Sequence, residues 1–132
     1  MLCFDSDFII DFLRGENAAI EKVKSLEKEG IELVTTAINS LEVFVGILVI
    51  DSPKNRRVIQ TKEFLESLVV LPFDKDASEK AAIILNSLKK KGTPIGLKDT
   101  LIAAIAIMND IPLLTRNVKH FEKIKELKIK TW

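Results

Sequence analysis

The segment L2-C-F-D-S-D-F-I-I-D-F-L-R-G15 decides the fold. Its apolar opening, L2-C-F, is short and ends in Asp5, which reads as a strand with an acid at its carboxyl end. The pattern F8-I-I-D-F12-L13 then repeats at helical spacing, and Gly15 stops it. Strand passes directly into helix, and Asp5 falls at the junction. In open parallel sheets, ligands bind beyond the carboxyl ends of the strands, so an acid at this junction is a candidate site residue from the outset.

Working outward, the same alternation continues. Apolar positions Ile20, Val23 and Leu26 predict a helix to about Glu29, and Gly30 closes it before a strand over 31–35. A helix is predicted from Ala37 to Ile50. Another should start with Ser52 as N-cap and Pro53 in the first turn, and run to Ser67. L68-V-V-L-P72 reads as a strand, and Asp74 caps a helix reaching about Lys91. The K91-G-T-P-I-G96 stretch is a loop. Residues 97–109 are apolar on every side after the first turn, the mark of a centrally buried helix. A strand over 111–115, a short helix over 117–126 and a last strand over 127–132 complete the chain. Strands alternating with helices imply a three-layer α/β/α domain around a central parallel sheet of about four to five strands.

Composition sets outer limits. At 132 residues the chain fits one domain, 1–132, able to bury a core without disulfides. Twenty basic against nineteen acidic residues leave a net charge of +1, so any affinity for nucleic acid has to come from local clustering rather than overall charge. Cys3 is the only cysteine, which excludes an intrachain disulfide and a Cys-based zinc site. The start, MLCFDSD, lacks a basic region leading into an apolar stretch, and no apolar run approaches the ~20 residues of a bilayer span. These features fit a cytoplasmic protein that does not enter a membrane.

Three acids lie against apolar segments: Asp5, Glu42 beside V43-F-V-G-I-L-V-I50, and Asp99 before T100-L-I-A-A-I-A-I-M108. Burying a carboxylate is costly unless it caps a helix, pairs with a cation or binds a metal. Asp7 stands closer to the helix start and takes the capping role, leaving Asp5 without a structural task. Glu42 has two readings. It is the acid of a capping box in N39-S-L-E42, or, if the helix starts at Thr36, it lies in the second turn beyond capping reach. Asp99 sits in a first turn, where it would also favour the helix dipole. If the three meet on one rim, they can hold a hard divalent cation, Mg²⁺ or Mn²⁺.

Taken in order, F4-D-S-D-F-I-I-D-F-L-R-G15, T35-T-A-I-N-S-L-E42, I95-G-L-K-D-T-L-I-A-A104 and L113-L-T-R-N-V-K-H-F121 resemble the PIN-domain nucleases, specifically the VapC-type toxin ribonucleases. The resemblance covers almost the whole chain. It implies a metal-dependent ribonuclease, a homodimer and a small antitoxin that blocks the site. By that similarity Asp5, Glu42 and Asp99 match the metal-binding acids, and Thr115 with Asn117 match the supporting polar segment. The chain departs from the pattern where many relatives carry a fourth acid, since the corresponding positions are Asn117 and His120. Asp7 stands where relatives often have a neutral polar residue.

Asp5, Glu42, Asp99 and Asn117 are therefore the candidate catalytic residues, with Ser6, Asp7, Thr115 and His120 as polar support. Arg14, Lys98, Arg116 and Lys119 adjoin the rim and are candidate RNA contacts. Two other classes stay open at this level. D5-S-D7 after a strand also resembles the opening of aspartate-nucleophile phosphatases, and the missing fourth acid allows a catalytically weakened RNA-binding or interaction domain.

Overall fold

The strand that opens the chain, β1 (Leu2–Phe4), is the middle strand of the sheet. In the computed structural model, which describes residues 1–132, β2 (Leu33–Thr36) and β4 (Leu113–Leu114) flank β1. The outer strands are β3 (Val69–Leu71) and β5 (Ile129–Lys130). The order is β3-β2-β1-β4-β5, and every pairing is parallel. The chain leaves β1 on one side to build β2 and β3, and on the other to build β4 and β5. Between β1 and β4 the strand order reverses, which is where a parallel sheet opens a crevice at its carboxyl edge. Asp5 and Thr115, the residues just after these two strands, line that edge.

Alternation along the strands divides the core in two. Leu2, Phe4 and Leu114 face a layer formed by α1 (Ser6–Leu13), α2 (Asn17–Lys28), α3 (Ala37–Ile50) and α4 (Arg56–Ser67). Cys3, Val34 and Leu113 face the opposite layer, formed by α5 (Lys75–Lys90), α6 (Leu97–Met108) and the C-terminal segment with α7 (Val118–Phe121). The α/β/α expectation holds. The apolar 97–109 segment is α6, whose Thr100 and Ile102–Ala106 are buried. V43–I50 is more apolar than its packing uses: Val45, Leu48, Val49 and Ile50 are exposed.

Three local expectations need correction. The fourth helix is capped by Asn55, whose side chain accepts from Arg57 N at 2.9 Å, not by Ser52 with Pro53 in the first turn. Residues 52–55 form a turn, with Asn55 N donating to Ser52 O at 2.9 Å, and Asn55 alone can reach the second helical amide. The helix expected over 117–126 stops at Phe121. Beyond it the amides of Lys123, Ile124 and Leu127 donate three residues back, tightening the chain so that Ile124 and Leu127 turn into the core. Third, Asp5 rather than Asp7 occupies the N-cap of α1, with its side chain accepting from Ser6 N.

Ile102 lies at the centre of the α5–α6 layer and is fully buried. Ile102→Ala should lower the free energy of unfolding by about 3 kcal/mol in urea titrations, while Glu63→Ala, at an exposed position of α4, should stay within about 0.5 kcal/mol.

Candidate active site

Asp5 is carried to the sheet's carboxyl edge by β1, where its amide donates to Leu114 O at 3.0 Å and ties it to β4. The residue is only 6% exposed, and its carboxylate has no ion-pair partner. Three neutral donors hold it. Ser6 N at 2.9 Å and Asn39 Nδ2 at 2.8 Å donate to Oδ1, and Thr115 Oγ1 donates to Oδ2 at 2.6 Å. Burial pushes the Asp5 carboxyl up to about 6. The Thr115 hydrogen bond pulls it back, and the neighbouring negative charge of Asp7 adds to the rise. Oδ1 thus accepts twice and Oδ2 once, which leaves Oδ2 the oxygen with a lone pair to spare.

Each remaining residue is set by an element that packs on β1. Thr36 ends β2 and caps α3, its hydroxyl accepting from Asn39 N at 3.1 Å. Helix α3 therefore starts at Thr36's carboxyl side, and the capping-box reading of N39-S-L-E42 is excluded. Asn39 is fully buried: its Oδ1 accepts from Thr36 Oγ1 at 2.7 Å, while Nδ2 donates to Asp5 and to Ser6 Oγ at 2.9 Å. Ser6 Oγ in turn donates to Glu42 Oε1 at 2.9 Å, and Lys98 Nζ lies 3.2 Å from Glu42 Oε2.

The other side of the site is built from the segment after β4. Thr115 Oγ1 accepts from Asn117 N at 3.0 Å, and Asn117 Nδ2 donates to Asp99 Oδ2 at 3.1 Å. His120 Nδ1 lies 2.9 Å from the same Asp99 oxygen. Because Lys98 and Asp99 are adjacent on α6, the contacts close into a ring running Asp5, Ser6, Glu42, Lys98, Asp99, Asn117, Thr115 and back to Asp5. Asp7 braces this ring from outside, its Oδ2 accepting from Arg116 N at 2.9 Å and its Oδ1 from Phe8 N at 2.7 Å. Burial raises its pKa, and those backbone donors oppose the rise.

The three acids thus share one rim, but they do not converge on a point. No three Asp, Glu, His or Cys side chains stand close enough to hold one ion in this arrangement. The reason is visible in the ring, where Glu42 is drawn to Lys98 and Asp99 to Asn117 and His120. The donor set still fits a hard divalent cation. The three acids offer carboxylate oxygens, Asp5 has no cationic neighbour, and the Glu42 and Asp99 side chains retain 23% and 21% exposure. Of the cations adjoining the rim, Arg116 is engaged by Asp11 at 2.8 Å and lies over the Trp132 ring at 4.3 Å, whereas Arg14 and Lys119 are exposed and unpaired. Asn39 is the residue that sequence reasoning undervalued. Its place three residues after Thr36 and three before Glu42 puts all of them on one helical face, a signal available in T36-A-I-N-S-L-E42.

The PIN domain family model matches residues 2–127. Ribonuclease VapC10 of Mycobacterium tuberculosis is 31% identical over 97% of this chain and 91% of its own length. The chain belongs to the PIN-domain family, among the VapC ribonucleases. The tRNA(fMet)-specific endonuclease VapC of Salmonella typhimurium is 30% identical over 94% of this chain and 99% of its own. The same fold recurs in VapBC-1 of nontypeable Haemophilus influenzae, with a TM-score of 0.86 and 26% identity over 99% of this chain and 97% of that one. VapBC2 of Rickettsia felis, bound to a DNA fragment from its promoter, superimposes with a TM-score of 0.89 at 22% identity, covering 99% and 98%. Within a VapC fold, the reversal of strand order at β1/β4 and the acid rim coincide.

Because the Asp5 carboxyl titrates higher when folded than unfolded, the native state binds the extra proton between pH 4 and 6. Metal-free protein should therefore lose stability as pH rises through that window, by up to about 3 kcal/mol. Asp5→Asn should flatten the loss, so that in chelator the variant unfolds at higher urea than wild type at pH 7.5 and at the same urea at pH 4.

Proposed function

We propose that this VapC-family chain is a Mg²⁺- or Mn²⁺-dependent endoribonuclease, the toxin of a toxin–antitoxin pair, cleaving RNA at the rim of Asp5, Glu42, Asp99 and Asn117. The observation that carries this reading is the Asp5 carboxylate, buried, uncompensated by any cation and ringed by further acids. A divalent ion bound there would supply a Lewis acid for the scissile phosphate and lower the pKa of the attacking water.

The protein's own residues set the geometry. Asn39, Ser6 N and Thr115 fix both Asp5 oxygens on rigid elements, so Asp5 is the invariant ligand, and Glu42 and Asp99 complete the set by leaving Lys98 and His120. Asn117 orients Asp99 and adds no charge, which leaves this rim with three ligand carboxylates and Asp7 as the nearest further one. Once released from Glu42, Lys98 becomes available to an RNA phosphate, with Arg14 and Lys119. Arg116, held by Asp11 and Trp132, shapes the rim more than it binds RNA.

The exposed apolar face of α3, which packs beside edge strand β3 with its exposed Val69 and Val70, is suited to a second copy of the chain, giving a homodimer. An antitoxin that closes the acid rim would then regulate each copy. No helix is long and apolar enough to cross a membrane, and the buried, unreactive Cys3 thiol, pushed up to about 12 by burial, is compatible with a cytoplasmic protein.

Cleavage of a panel of structured RNAs with Mg²⁺ or Mn²⁺ should be abolished by chelator and lowered at least a hundredfold by Asp99→Asn. Residual activity in both would mark a contaminating nuclease. In parallel, Mg²⁺ or Mn²⁺ should raise the melting temperature of wild type and not that of Asp5→Asn/Asp99→Asn, and equal shifts in the two would defeat a metal site shared by these acids.

A further inference from the structure

A second feature lies outside the acid ring. Between α5 and the turns that follow α7 is a groove of about 220 Å³, floored by Ile84, Leu88 and Ile124 and rimmed by Lys91, Lys123 and Lys125. Glu126, also at its edge, is neutralised by Lys80 at 2.6 Å. The rim cations are part of a larger concentration. Of the twenty lysine and arginine side chains, eight are ion-paired to carboxylates. Lys89, Lys90, Lys91, Lys119, Lys123 and Lys125 are all exposed and all among the unpaired remainder, in two short segments on one side of the molecule. Residues 118–125 contain a single carboxylate, Glu122.

This explains how a chain of net charge +1 could still attract a polyanion, since these lysines are clustered with few carboxylates among them. Along the chain, both walls of the groove lead to the catalytic rim. Lys91 begins the loop that leads to Lys98 and Asp99, and Lys119, one turn before Lys123, adjoins His120, whose ring meets Asp99. A single occupant that touches both places is the substrate itself.

Resting on the ribonuclease reading above, we propose that the α5–α7 groove is an RNA-binding exosite. Lys91, Lys123 and Lys125 hold the phosphates of the single strand flanking the cleaved bond, over an aliphatic floor. An acidic protein segment could use the same charge, but it carries no phosphodiester for the acid rim to act on.

The test compares Lys91→Ala/Lys123→Ala/Lys125→Ala with Lys22→Ala/Lys28→Ala/Lys54→Ala, which removes equal charge from the opposite layer. In chelator, fluorescence anisotropy of a long labelled single-stranded RNA should show the groove variant binding about tenfold more weakly, with a log–log salt slope shallower by about 2. The control should match wild type. With Mg²⁺, KM for the long RNA should rise about tenfold while kcat, and cleavage of a trinucleotide, stay unchanged. Full RNA affinity in the groove variant, or equal losses in both variants, overturns the exosite. Retained RNA affinity with lost binding of poly-L-glutamate reassigns the groove to an acidic protein segment. Failure of wild type to cleave any RNA would instead overturn the ribonuclease reading, which is a separate result from a change in anisotropy.

Discussion

Asp5 places a carboxylate at the one position in the sheet where two halves of the chain diverge, and buries it there without a counter-ion. The surrounding architecture follows from that constraint. Because a desolvated charge must at least be hydrogen-bonded, three independent elements each contribute a neutral donor: the first turn of α1 through Ser6, the first turn of α3 through Asn39, and the end of β4 through Thr115. Neutral donors satisfy lone pairs without cancelling charge, so the carboxyl remains raised toward 6 and the site retains an unmet demand for a cation.

The ring around Asp5 has two mechanical parts. The Thr36–Asn39–Asp5–Thr115 portion is fully or nearly fully buried and consists of short side chains with their hydrogen bonds satisfied, so it is held rigidly. Glu42 and Asp99 face solvent in part, and their partners Lys98 and His120 are exposed at 65% and 48%. Exposed ion pairs are weak, worth at most about 1 kcal/mol, so they are readily exchanged for a stronger cation or for phosphate. Asp5 is thus held firmly, and Glu42 and Asp99 less so.

The two layers over the sheet have different surfaces. The α1–α4 layer exposes the apolar outer side of α3. The α5–α7 layer carries the unpaired lysines and their groove. The two layers therefore present surfaces of different chemistry, one apolar and one cationic, with the acid rim at the sheet edge between them.

Much of this was legible in the residues. Hydrophobic periodicity gave the α/β/α layering because burial on both sides of a sheet forces near-continuous apolar strands and amphipathic helices, and L2-C-F-D5 and the 97–109 helix carried that signal clearly. Asp5, Glu42 and Asp99 could be picked out because each breaks an apolar context. What periodicity could not decide was local competition among nearby polar groups. Whether Asp5 or Asp7 caps α1, whether Thr36 or Asn39 caps α3, and whether Ser52 or Asn55 caps α4 turn on differences of one hydrogen bond, which depend on where the flanking chain is held. Nor could sequence separation show that Lys98 would pair with Glu42, 56 positions away by number, or that Asn39 would reach back to Asp5, 34 away. The sequence by itself determined the layers and the acids. Only the tertiary structure decided their company, because the reversal of strand order between β1 and β4 brings α3, α6 and the segment after β4 to one edge.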